Sequence, residues 1–192
     1  MSKNILAIGA HFDDIELGCG GTIAKHKING DNVYAYVTTL SGFSNPNSKT
    51  IRSSQIARKE GVEAMKILGT KKLFTGQFKT LMVEFNDKLN IEILKIIEDK
   101  KIDTVYTHWH GDIHHDHQAV SKSSLHSARH VQRLLQYRSN WYHSTLEFKE
   151  NFNADISDFW DLKKKAILTH KSEINRTGKK WINFFHNEAL NA

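Results

Sequence analysis

The chain reads as an α/β fold built on a largely parallel sheet, and three observations predict it. Short runs rich in apolar, β-branched and aromatic residues (Ile5–Gly9, Val33–Leu40, Thr104–His108) punctuate the sequence. Stretches of helical periodicity separate them, giving the strand–helix alternation of parallel sheets. Polar residues cluster just after two of the strands, at His11–Asp14 and His108–His117. In open parallel sheets that edge is where ligands bind.

Taken in order, Ile5–Gly9 is the first strand and Leu17–Lys27 a helix with Leu17, Ile23 and Ala24 inward. Asn29-Gly30-Asp31 ends that helix with turn chemistry. Val33–Leu40 is the second strand, and Ser41–Ser48 is a loop holding the only proline, Pro46. Arg52–Leu68 reads as a helix with Ile56, Val62, Met65 and Leu68 apolar, closed by Gly69. Lys72–Gly76 gives a short strand, and Asn90–Glu98 a helix with Ile91, Leu94 and Ile97 inward. Thr104–His108 is the next strand, followed by a histidine-rich loop that becomes a helix by His130. Leu134–Tyr137 gives a fifth strand and Ile156–His170 a late helix. The aromatic stretch Ser139–Ala154 has no regular pattern. No repeat or linker divides the chain, so residues 1–192 are expected to form one domain.

Composition narrows the function. Hydrophobic content of 39% and charged content of 25% are those of a soluble globular protein. No apolar run approaches the roughly 18 residues of a membrane span. Met1–Asn4 leads directly into the first strand, leaving no room for a signal peptide, so a cytoplasmic location is expected. The single cysteine, Cys19, excludes an internal disulfide and a cysteine-rich metal site, and reads as a small buried thiol. Net charge is +6, with basic residues gathered late at Lys163, Lys164, Lys165, Lys171, Arg176, Lys179 and Lys180. They are not interleaved with stacking aromatics, so no nucleic-acid partner is expected. The bland reading of this stretch is a solvated helix face; the sharper one is contact with a phosphate on a linked sugar.

Seven of the 12 histidines lie between His108 and His130. His11 and Asp14 are three apart and able to face one way, and an imidazole nitrogen with a carboxylate oxygen suits Zn²⁺. Asp13 and Asp14 are adjacent and cannot point the same way, so if one ligates a metal the other is free to act as a base. Alone, Asp13 and Asp14 would equally well cap the following helix. The second cluster, Asp112-Ile113-His114-His115-Asp116-His117, also follows a strand and repeats the three-residue spacing at His114 and His117. Two histidines, a carboxylate and a water make a catalytic zinc set. A dinucleotide site does not fit. Its glycines belong at the first strand–helix turn, where His11, Asp13 and Asp14 stand, and Gly18, Gly20 and Gly21 come later.

These residues carry a family resemblance. Ala10-His11-Phe12-Asp13-Asp14-Ile15-Glu16-Leu17-Gly18-Cys19-Gly20-Gly21-Thr22 resembles the A-H-P-D-D-E-x-L-G-x-G-G-T signature of the PIG-L/LmbE-like zinc N-deacetylases. Asp112–His117 resembles that family's D-x-H-P-D-H segment, Lys163–Glu173 its K-x-x-A-L-x-x-H-x-S-Q stretch, and Glu188-Ala189-Leu190 its terminal E-A-F. The resemblance implies a single Rossmann-like domain with His11, Asp14 and His117 as metal ligands. It implies Asp13 as general base, His114 as oxyanion stabiliser, and Arg58 near the place of a substrate-contacting arginine. Phe12 and His115 stand where the family has proline, Ile15 where it often has glutamate, and Glu173 where it has glutamine.

The reaction so implied is removal of an N-acyl group, most simply acetyl, from a small-molecule amino sugar, free or nucleotide- or lipid-linked. The cofactor would be Zn²⁺, with Fe²⁺ or Co²⁺ as alternatives. Asp13 would take the proton of the attacking water, and a protonated His114 would steady the oxyanion. Asp112 and Asp116 would orient histidines. Alternatives are a deformylase or amidase on a non-sugar amide, and a metal-binding protein without turnover.

Overall fold

The computed structural model describes residues 2–178 and 180–191; Lys179 of the basic stretch lies outside them. The first half of the chain runs β1 (Asn4–Gly9), α1 (Asp14–Ile28), β2 (Asn32–Thr39), β3 (Phe43–Ser44), β4 (Thr50–Arg52), α2 (Ser54–Ile67), β5 (Lys72–Phe78) and α3 (Asp87–Lys100). The second half runs β6 (Thr104–His108), α4 (His115–Ser127), β7 (Arg133–Tyr137), a 3₁₀ turn (Ser157–Phe159), α5 (Trp160–Ile167), α6 (Lys171–Thr177) and α7 (Lys180–Asn191). Five strands form one sheet in the order β5-β2-β1-β6-β7, every neighbour parallel. The expected Rossmann-like α/β fold is present.

β1 is continuously apolar because both of its faces are covered. Ile5 and Ala7 join one core layer with Ile15, Ile23, Ala57 and Met65 of α1 and α2, and with Ala166 of α5. Leu6 and Ile8 join the other, with Leu89 and Ile93 of α3 and Val120 of α4. Ile5, Leu6 and Ile8 are fully buried, each contributing about 1.5–3 kcal/mol.

The strand order reverses between β1 and β6, which lie side by side with Ile5, Leu6 and Ala7 opposite Thr104, Val105 and Tyr106. Such a reversal opens a crevice beyond the carboxyl ends of the two strands. The two polar clusters leave the sheet at these ends.

The five main strands fall where expected; other elements differ. Thr50–Arg52 is a short antiparallel strand paired with Phe43–Ser44, so Arg52 precedes α2 instead of opening it. Ser53 caps α2 by accepting from the Ile56 N–H. The inner face of α2 is Ala57, Gly61, Ala64 and Met65, with Ile56 exposed. α3 is likewise phased on Leu89, Ile93, Ile96 and Ile97, leaving Ile91 exposed. The late helix is broken: α5 ends at Ile167, and His170 opens α6. The late lysines do not share a face, since Lys163 is buried whereas Lys164 and Lys165 are exposed. No described helix is long and apolar enough to cross a membrane.

Candidate metal centre and active site

Gly9 ends β1, and the next five residues deliver His11, Asp13 and Asp14 to the crevice. β6 ends at His108, and the following loop carries Asp112 and His114 to the start of α4, where Asp116 and His117 lie in its first turn. His11 Nδ1 lies 3.3 Å from Asp14 Oδ2 and 3.2 Å from His117 Nε2, and His117 Nε2 lies 3.2 Å from Asp14 Oδ1. Three donor atoms of the kinds that bind zinc therefore face one point.

The remaining nitrogens of both rings are already engaged. His11 Nε2 lies 2.9 Å from Asp116 Oδ2, and His117 Nδ1 2.9 Å from Asp112 Oδ2. A carboxylate on the far nitrogen fixes ring orientation and tautomer, as around bound metals. Asp112 is itself held by both contacts of the Asn140 amide, at 2.8 and 2.7 Å, and by the His114 N–H. Asp116 accepts from the Leu81 and Val83 N–H groups. Asp14 accepts from the His11 N–H at 2.7 Å and from Ser139 Oγ at 3.2 Å. The residues thus fit a divalent cation by donor type, by convergence and by supporting bonds.

The electrostatics point the same way. Burial alone would lower the pKa of both histidines. The hydrogen bonds from Asp116 and Asp14 outweigh it at His11, raising it to about 9, and Asp14 and Asp112 raise His117 to about 10. This carboxylate cage holds positive charge wherever the two rings meet.

Asp13 occupies the N-cap position of α1 but makes no side-chain capping bond. Its φ of 134° lies in the left-handed region that favours glycine, a strain of order 1–3 kcal/mol. Arg52 secures the arrangement. Its Nη1 donates to Asp13 Oδ2 at 2.9 Å and to the Phe12 carbonyl at 3.1 Å. Its Nη2 donates to Glu60 at 3.3 Å and to His170 Nδ1 at 3.1 Å. Burial pushes the Asp13 carboxyl up, Arg52 pulls it back, and it settles at about 6.

His114 stands beside the convergent atoms. Its Nδ1 accepts from the Asp116 N–H at 3.2 Å, so the ring proton sits on Nε2. Burial, together with His117 and His11 nearby, lowers it to about 4. With those two rings charged, the His114 imidazole is neutral and offers one N–H, where the family resemblance implied a protonated ring.

Arg58 is corrected as well. It is exposed on α2, one residue past the inward Ala57, and does not line the cavity. The arginines that line it are Arg52 and Arg176. Sequence reasoning also missed His108, fully buried and stacked on the His117 ring with 3.9 Å between centroids. Ser139 and Asn140 lie in the stretch without a pattern. Phe12 finds its explanation: it is buried, and its ring occupies the space a side chain at Gly61 would need, with Cδ1 2.2 Å from that Cβ position. His115 is not among the cavity residues, whereas Glu173 is, paired through one carboxylate oxygen with Arg176.

The cavity has a volume of about 270 Å³, near the lower end of the ~300–1,000 Å³ of small-molecule sites. Trp141, Tyr142 and Trp181 give it an aromatic side. Glu173 Oε1 is buried without a hydrogen-bond partner among the described residues.

Known proteins resemble the chain in sequence and in fold. Residues 6–128 match the PIG-L family, described as GlcNAc-PI de-N-acetylase. A protein of Escherichia coli named uncharacterized deacetylase YaiS is 35% identical over 180 residues, covering 88% of this chain and 91% of the relative. The diacetylchitobiose deacetylase of Thermococcus kodakarensis is 25% identical over 192 residues, covering 89% and 70%. The crystal structure of N,N'-diacetylchitobiose deacetylase from Pyrococcus horikoshii superposes with a TM-score of 0.82 at 23% identity, covering 98% of this chain and 78% of that one.

Proposed function

Because the chain belongs to the PIG-L family, we propose that residues 1–192 form one catalytic domain, a metal-dependent N-deacetylase acting on an amino sugar or sugar conjugate. The observation that carries this reading is the meeting of His11, Asp14 and His117 with a fourth group, the differently held carboxylate of Asp13, at the same cavity. A purely structural metal site has no use for that fourth group. The sugar is supported by the names of the relatives and by the aromatic side of the cavity, suited to an apolar sugar face.

His11, Asp14 and His117 would hold the cation, with zinc first and Fe²⁺ or Co²⁺ as alternatives. When bound, it supplies Lewis acidity that polarises the amide carbonyl and brings a water's pKa toward ~7. Asp13 has Oδ2 committed to Arg52, leaving Oδ1 to take the proton of the attacking water. The charge developing on the carbonyl oxygen receives the Nε2–H of His114, a contact worth about 3–4 kcal/mol in comparable sites. Asp13 then passes its proton to the departing amine. Glu173, with an unpartnered buried oxygen, accepts from a sugar hydroxyl.

The test is an amine-release screen over N-acetyl amino sugars in free, nucleotide-linked and lipid-linked form, with N-formyl and non-sugar amides alongside. Turnover of an N-acetyl sugar that a chelator abolishes and added metal restores supports the assignment. Metal-replete protein that cleaves only non-sugar amides, or nothing, overturns it.

A further inference from the structure

A second and larger cavity, about 790 Å³, lies on the other flank of α1 and shares no lining residue with the first. Gly18, Cys19 and Gly21 of α1 line its floor, where Gly18 makes room for the Tyr137 ring and Gly21 for Ile156. Its walls are aromatic, with Tyr106, Phe148, Trp160 and Phe185. Small floor and flat walls shape a slot.

Lys163 opens the third family-like stretch. The rest of that stretch serves the active-site side: His170 and Ser172 engage the Arg52–Glu60 network, and Glu173 lines the first cavity. Lys163 does neither. It is only 5% exposed and lines the slot, with Nζ 5.4 Å from the Phe185 ring centre. Among the described residues it has no ion-pair partner within the slot. The acids of this cavity lie at its exposed rim. Glu188 is paired with Arg138, and Asp155 accepts from Ser157. Burial lowers the Lys163 pKa to about 8, so an acidic group entering the slot would hold this lysine in its charged form.

We infer that this slot is a second ligand site, taking a small organic monoanion with a flat apolar body and setting its acidic group against Lys163. The aromatic walls take the body. Exposed Glu150 and Asp155 at the rim disfavour polyanions, so a polyphosphate is a poor occupant.

The test uses the full, metal-replete chain and two fluorescent probes, 8-anilinonaphthalene-1-sulfonate and the uncharged N-phenyl-1-naphthylamine. The sulfonate probe is expected to bind with one-to-one stoichiometry, to quench Trp160, and to resist displacement by N-acetylglucosamine. Lys163→Met should weaken it by roughly tenfold or more, about 1.4 kcal/mol, with the uncharged probe unaffected. Lys163→Arg should restore most of its affinity. Equal loss of both probes in Lys163→Met would mean a structural role for the lysine. Undiminished sulfonate binding by that variant, or displacement by the sugar, also overturns the site. Should Lys163→Met fail to fold, the unaltered protein still decides, because preference for the uncharged probe excludes an anion site.

Discussion

Arg52 Nη1 lies 2.9 Å from Asp13 Oδ2 and 3.1 Å from the Phe12 carbonyl oxygen. One guanidinium therefore fixes both the carboxylate and the backbone of the strained residue next to it. Asp13 is raised to about 6 by burial even with Arg52 opposing. The base form exists above that value, so kcat/KM falls as pH drops through it. A bound cation favours the carboxylate further, placing the acid limb of the holoenzyme at or below about 6. Arg52→Lys weakens the bidentate hold, and Arg52→Met removes the charge, so the limb moves to higher pH in that order. Arg52→Met also leaves buried carboxylates unpaired, a loss of about 3–5 kcal/mol. pH–rate profiles at matched metal content check the first effect and chemical denaturation the second; an unmoved limb in both variants sinks the assignment.

Asp13→Asn keeps the size of the side chain and touches none of the three convergent donors. Amine release is expected to fall by ~10²–10⁴-fold, with metal content unchanged by elemental analysis. Parallel loss of metal would instead place Asp13 among the ligands.

Asp112 and Asp116 each hold the far nitrogen of a candidate ligand. Asp112→Asn is expected to weaken metal affinity ~10–100-fold, and His117→Ala to abolish specific binding. His11 and His117 are raised to about 9 and 10, so near neutrality a cation must displace protons from them. Affinity then rises with pH across the neutral range, and binding releases protons. Calorimetry in buffers of different ionisation enthalpy measures that release; a heat independent of buffer contradicts it.

Gly61 faces the Phe12 ring. Gly61→Ala is expected to destabilise the protein by about 1–3 kcal/mol through overpacking, and Phe12→Ala by a cavity. Combined, they should cost less than their sum, because each relieves the other's fault. Denaturant melts of the three variants measure the coupling; strict additivity rules out the contact.

The sheet was legible because a covered parallel strand is apolar at consecutive positions, as in Ile5–Ile8. The centre was legible because His11, Asp14, His114 and His117 sit immediately after strands. Helix phase was harder. α3 carries Ile91, Ile93, Leu94, Ile96 and Ile97, apolar on too many sides for periodicity to choose between Ile91 and Ile93. Arg52 was hidden because its role depends on a two-strand pairing with Phe43 that no local pattern announces. Arg58 lies within a residue of the family's arginine, yet a 100° step along α2 from the inward Ala57 turns it to solvent. His108 belongs to the second polar cluster, yet the sequence assigns it no role of its own, since it is also the last residue of an apolar strand.

Asp116 accepts from His11 Nε2 and, on the same carboxylate, from the N–H groups of Leu81 and Val83. Leu81 and its neighbour Thr80 form part of the mouth of the active-site cavity. Mouth and metal are therefore joined through one side chain. If the proposed cation favours an ordered His11, linkage requires that it also favour the ordered segment around Leu81, and that a substrate settling this segment tighten the hold on the cation by the same amount. Loading the proposed centre and shaping its entrance would then be a single equilibrium.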